Sequence, residues 1–275
     1  MIHTINILSV TTAVFYLVTF LLYLTNFYKE KKSFEVIKRT FLFFSLVIHI
    51  VYLVERSVYF NHLPITTPFE FFSLLAFAIA FIYFLIEMMT DIKGTGVFIL
   101  FFSLIFQTKS ALFSVDKFQV SSVLNNYPLA SHVISAILGL TGMSIAFAYS
   151  LMYFLLYKNI KNNKFSTIFN RLPNLEILEK LSFYSMTIGV VLLTVAIIIG
   201  FTWLPSAFDN FSYFDPKILS TMITWLVYSV LIVLKLSGAI SGRRFSFYSM
   251  VSFGVSITLI IISGMIKSSF HDFLK

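Results

Sequence analysis

What most limits this chain is the length and number of its uninterrupted apolar runs. A helix rises about 1.5 Å per residue, so about 20 apolar residues cross a hydrocarbon layer of about 30 Å. Inside that layer only helices and closed barrels satisfy their own backbone hydrogen bonds. Ile5–Phe27, Thr40–Phe60, Pro68–Met89, Leu129–Tyr157, Leu181–Leu204, Pro216–Leu236 and a stretch from Phe245 to about Phe270 all have the required length, while Gly94–Thr108 is short. The first run lacks the basic lead-in of a signal peptide and exceeds the length of its apolar core, so it reads as a retained helix. The expectation is an all-α polytopic membrane helix bundle with about eight crossings, forming one integral membrane domain over residues 1–275. The chain is 58% hydrophobic and 12% charged, whereas a soluble domain carries about a quarter charged residues.

The charges give the bundle a direction. Segments 28–39, 89–94, 158–180 and 235–246 hold fourteen Lys and Arg, and the alternate segments hold six. Basic residues collect on the cytoplasmic side, so eight crossings place both termini outside, at the inner membrane of the cell. The net charge of +8 is thus an orientation signal. No basic run carries the interleaved aromatics of a nucleic-acid surface, and membrane lipid is the expected surrounding partner.

The same topology puts an aromatic stretch outside, Trp203 through Phe208, Phe211, Tyr213 and Phe214 to Lys217. Its bland reading is an interfacial belt of rings at headgroup depth. Asp215-Pro216 should start the next helix, with the carboxylate accepting from orphan N–H groups and proline at the first helical position. His132, near the outer end of its helix, and His271, beyond the last helix, share the membrane level of this loop. His3 and His62 sit in outer segments and receive no role. His49 lies mid-membrane with Arg56 seven residues on, on nearly the same helix face, where an ionisable group is costly and usually faces a cavity or partner. A single histidine of this kind is most often a hydrogen-bonded residue between helices. Two imidazoles at one level beside an aromatic shelf are also the donor set of a bis-histidine haem.

These residues carry a family resemblance. Phe214-Asp215-Pro216-Lys217-Ile218 followed by Thr224-Trp225-Leu226, His132 two crossings earlier, and Phe270-His271-Asp272-Phe273 at the end resemble the haem-handling membrane proteins of cytochrome c assembly. That group comprises the CcsA/ResC proteins and the related HemX proteins. His49, Arg56, Pro64 and Glu70 fit its upstream pattern, so the likeness spans roughly residues 40–273. It implies non-covalent haem b, with His132 and His271 as metal ligands and Trp203, Phe214, Asp215, His49 and Arg56 as further cofactor-binding residues. It also implies a ResB-like partner subunit and apocytochrome c as client, the chain being the haem-handling part of a cytochrome c synthase. The departures are definite. Trp203 is the one tryptophan in the loop, Ile218 replaces a Glu, and Val233 stands about where the synthases place another intramembrane histidine. A full transmembrane haem path therefore lacks support.

The chain has no cysteine, which excludes internal disulfides, thiolate metal sites and covalent attachment of haem to its own side chains. It also lacks a phosphate loop and any nucleophile–base pair that sequence alone places together, so no self-contained catalytic site is expected. Two other readings stay open: a HemX-like regulatory or scaffolding protein of haem biosynthesis, and a secondary transporter. The latter calls for matching interrupted helices in two halves, and Gly139, Gly142, Gly189 and Gly200 form no such repeat.

The topology has a direct test. A cysteine at Ser206 should react with a membrane-impermeant thiol reagent added to intact cells or spheroplasts, and labelling only after the cytoplasmic face is opened reverses the orientation.

Overall fold

The computed structural model describes residues 2–29, 32–65, 67–90, 92–113, 127–207 and 212–265. They form helices in the order α1 (Ile2–Lys29), α2 (Lys32–Phe60), α3 (Pro68–Met89), α4 (Gly96–Leu112), α5 (Tyr127–Lys161), α6 (Thr167–Arg171), α7 (Leu175–Ala207), α8 (Pro216–Leu236) and α9 (Gly242–Met265), joined by turns and short loops. Among the described residues seven helices are long and apolar enough to cross a membrane. The eighth expected crossing corresponds to α4, whose 17 residues rise about 25 Å. The chain is a multi-pass helical membrane protein.

Several helices run past their apolar cores. Thr40 was the expected start of the second crossing, yet α2 begins at Lys32 and takes in Lys38 and Arg39. Lys, Arg and Glu are good helix formers, and their long stems cover apolar surface while the charge reaches out. The expected end at Leu204 is also passed. α7 continues through Pro205 to Ala207, although the proline has no N–H to give the Phe201 carbonyl. α6 has no counterpart among the expected elements.

The chain divides into two compact units: residues 1–125 with 163–173, and 126–162 with 174–275. In the first, α1 packs on α2 and α4, and α3 on α4 and α2. α3 starts on a capping box, Thr67 Oγ1 accepting from Glu70 N–H while Glu70 Oε2 accepts from Thr67 N–H. The other carboxylate oxygen of Glu70 accepts from Arg56 Nε at 2.8 Å. The Arg56 guanidinium lies against the rings of Phe60 and Phe69, at 4.6 and 4.4 Å. Both charged side chains are fully buried, so two residues of the family's upstream pattern close into one ion pair.

In the second unit α5 packs on α7 and α9, and α8 on α9 and α7. The α5–α7 seam is a contact of backbones. A methyl group at Gly142 would come within 2.6 Å of the Ser185 carbonyl and 2.8 Å of Gly189 Cα, and one at Gly189 within 2.8 Å of the Gly139 carbonyl. Between helices in lipid, small residues permit such close approach and the dispersion it brings. At the far end, Glu179 on α7 pairs with Lys235 on α8 and accepts from Gly242 N–H at the start of α9.

Glu70→Met should destabilise the detergent-solubilised protein by about 3–5 kcal/mol, because it strands a buried guanidinium. The double variant Arg56→Met with Glu70→Met should be the milder one; thermal unfolding of both followed by circular dichroism checks the order.

Candidate functional site

His132 sits in the second turn of α5 and packs against α7. Its Nδ1 lies 2.8 Å from the Ala196 carbonyl. A carbonyl only accepts, so Nδ1 carries the proton and Nε2 keeps its lone pair; this is the tautomer of a metal-binding imidazole whose orientation is set by its other nitrogen. Gly200, one turn beyond Ala196, makes room for the ring, since a methyl group there would lie 3.0 Å from His132 Cε1. In the sequence Gly200 is one of the glycines that form no repeat. Its place in the structure is inside α7, as the floor of the imidazole's seat. Neither Ala196 nor Gly200 announces this role in the sequence, because the contact joins residues far apart in the chain.

The neighbouring elements converge on the same end of the unit. Trp203 is half-buried on the last turns of α7. Tyr213 meets Phe201 edge-on at 5.8 Å. Phe214, 82% exposed, projects a bare ring. Asp215 caps α8, its Oδ1 accepting from Lys217 N–H at 2.8 Å, as Asp215-Pro216 led one to expect. This carboxylate holds the loop in place and is buried. Trp225 Nε1 donates to Thr194 Oγ1 at 2.8 Å, tying α8 to α7. Ser220 Oγ donates to Ser263 Oγ at 3.4 Å, which sets the last turn of α9 beside the first turns of α8. His271 lies outside the described residues, as do Phe208 and Phe211.

His49 and Arg56 belong to the first unit. His49 is fully buried, with Tyr16 Oη 3.0 Å from Nδ1 and Ser73 Oγ 2.8 Å from Nε2. Ser73 donates in turn to Gln107 Oε1 at 3.1 Å. With the serine proton directed to that acceptor, Nε2 donates to Ser73 and Nδ1 accepts from Tyr16. Both ring nitrogens are engaged, and the imidazole offers no lone pair to iron. Arg56 is held by Glu70. His62 is buried, its Nδ1 2.9 Å from the Leu63 carbonyl, and His3 is exposed. Among the described residues no group of three or more His, Asp or Glu is placed to hold a metal ion; two axial imidazoles need no such group.

Comparison with known proteins agrees with the sequence pattern. A family model described as cytochrome C assembly protein matches residues 5–271. Protein HemX of Brevibacillus brevis is 24% identical over 267 residues, covering 95% of this chain and 96% of that protein. Protein HemX of Bacillus subtilis (strain 168) is 26% identical over 145 residues, 53% of this chain and 52% of the relative. The cytochrome c biogenesis protein CcsA of Synechococcus sp. (strain CC9311) is 41% identical over 69 residues, 25% of this chain and 23% of the relative. With nearly its whole length matched and a helical membrane fold, the chain belongs to the cytochrome c assembly protein family.

Proposed function

We propose that this chain handles haem in cytochrome c biogenesis. It binds haem b non-covalently at the outer face of the inner membrane, on the end of its second unit, and presents it to apocytochrome c. The observation that carries the reading is the seat of His132. A backbone carbonyl fixes one nitrogen, a glycine notch accepts the ring, and the other nitrogen is left with its lone pair. His271 supplies the second axial ligand; the described part of α9 ends at Met265, and the few residues between span up to about 3.5 Å each. Trp203 and Phe214 offer flat apolar faces to a macrocycle, and Asp215 positions the segment that bears Phe214. Bound haem supplies an iron centre and reactive vinyl groups for thioether formation with client cysteines. The protein contributes binding, orientation and control over the iron's ligands. A ResB-like subunit is the partner expected to bring the client. His49 and Arg56 serve the first unit instead of the haem, on the evidence of their own hydrogen bonds.

A second reading rests on the end-to-end match to HemX, where the CcsA match covers about a quarter of the chain. In that reading the protein is a membrane scaffold or regulator of haem biosynthesis that does not hand haem to a cytochrome.

Purified protein separates the two readings. A stoichiometric Soret band of a low-spin bis-imidazole iron supports haem handling, and its absence from protein purified out of haem-replete cells supports the scaffold. His132→Ala or His271→Ala should each weaken haem retention and shift the spectrum, and added imidazole should restore both by filling the vacated position. His49→Ala should leave the spectrum in place; a spectrum lost with His49→Ala and kept with His132→Ala inverts the assignment.

Gly200→Ala should also weaken retention, by displacing the His132 ring a few tenths of an ångström. Free imidazole should not repair it, because the native ligand still occupies the space. Haem titration of the two variants, with and without imidazole, checks that contrast.

A further inference from the structure

The interior of the first unit is polar from end to end, and the proposed haem site makes no use of it. On α1 the buried face runs Ser9, Thr12, Tyr16, Thr19, Tyr23 and Asn26, in steps of three and four residues that keep to one side of a helix. The buried side of α2 carries Lys38, His49 and Arg56 along the same kind of stripe, α3 adds Glu70, Ser73 and Glu87, and α4 adds Ser103 and Gln107. One polar pair per helix contact suffices to glue helices in lipid. Ionisable groups buried in a membrane bundle are costly and mark ion or proton routes.

Those groups stand at three depths. At the α2–α3 turn Arg56 pairs with Glu70. In the middle, Tyr16, His49, Ser73 and Gln107 form one hydrogen-bonded chain through all four long helices. At the opposite end Lys38 Nζ lies between Glu35 Oε2, at 2.9 Å, and Glu87 Oε1, at 3.2 Å, and the Tyr23 hydroxyl donates to the other Glu87 oxygen. From Lys38 to Arg56 the rise of α2 is about 27 Å, close to the about 30 Å of a hydrocarbon layer. Hydrogen-bonding atoms fill the intervals. Thr19 and Ser45 share a bond of 2.8 Å below His49. Tyr52 bonds with Ser9 and Arg56, while Ser103 Oγ and Gln107 Nε2 are buried with no hydrogen-bond partner among the described residues, and buried polar atoms of this kind are usually satisfied by protein or water. The Lys38 end adjoins a cavity of about 220 Å³ lined in part by Tyr23, Asn26, Glu35 and Lys38, ample for several waters at about 30 Å³ each.

We propose that the first unit conducts protons across the membrane along this column. One proton is taken from water at one end and one is released to water at the other, with no bond formed or broken but O–H and N–H. His49 is the relay. Its Nδ1 takes a proton from the Tyr16 side while Nε2–H yields one to the Ser73 side, and reorientation of the ring and of the hydroxyls beside it, with no proton passed back, resets the chain. The groups facing the imidazole are Tyr16, Ser73, Tyr52 and Phe77, with no fixed charge among them to trap the proton. The inference is independent of the haem assignment.

The test uses the full-length protein in phosphatidylcholine–phosphatidylglycerol vesicles with an enclosed pH dye, driven by a potassium gradient and valinomycin. Proton flux should exceed that of protein-free vesicles several-fold and scale with protein-to-lipid ratio. His49→Phe should bring it to the protein-free level, whereas Ser150→Ala in the second unit should leave it unchanged. Ser73→Ala should lower the flux and serves as the arm that decides if His49→Phe does not fold by circular dichroism and gel filtration. Wild-type flux no greater than that of protein-free vesicles overturns the proposal. So does flux that a folded His49→Phe or Ser73→Ala variant retains in full.

Discussion

Hydrocarbon cannot hydrogen-bond, and the whole structure answers to that fact. Every polar side chain placed at membrane depth has to find its partner inside the protein. The first unit meets the demand with side chains: Arg56 closes on Glu70, and Glu70 at the same time completes the cap of α3, so one carboxylate serves a charge and a helix start. The second unit meets it largely within single helices. Its principal seam is glycine on backbone, and its hydroxyls mostly bond within their own helices, as Thr141, Ser144 and Thr194 do with the carbonyl four residues back.

The two solutions suit different work. At the α5–α7 seam the His132 imidazole is oriented by a single carbonyl. A polar interior commits its imidazole fully, as with His49, whose two nitrogens are both spent on neighbours. The same residue type, fully buried as His49 and half-buried as His132, therefore arrives at opposite chemical states. In one case a single ring nitrogen is engaged and the other keeps its lone pair. In the other the ring is a link between hydroxyls.

Much of this was legible in the sequence. The apolar runs located the helices, because span length is a one-dimensional property, and Asp215-Pro216 announced its helix start because capping is local. Arg56 stood out by type and depth and Glu70 by the family resemblance, although their pairing needed the turn between α2 and α3 to bring them together. The helix ends were misjudged at Lys32 and Ala207, where charged residues and a late proline extend a helix beyond its apolar core. What the sequence hid was every contact made across the chain. Ala196 and Gly200 look like ordinary helix residues, and nothing near His49 in sequence names Tyr16 or Gln107 as its companions. The α1 stripe from Ser9 to Asn26 was present as a period of three and four, but hydroxyls scattered in an apolar run read as tolerated exceptions until their common face is seen.

The glycine seam between α5 and α7 bears on how the protein lives in membranes of unequal thickness. Where helices meet through long side chains, a change in bilayer thickness is absorbed partly by rotamer adjustment and slippage of one helix along another. Gly142 and Gly189 leave no side chains to adjust, and the Ser185 and Gly139 carbonyls stand as stops against sliding. The pair can tilt as a body, but His132 keeps its height relative to Ala196. Its register is written in peptide geometry, and lipid composition has little purchase on it.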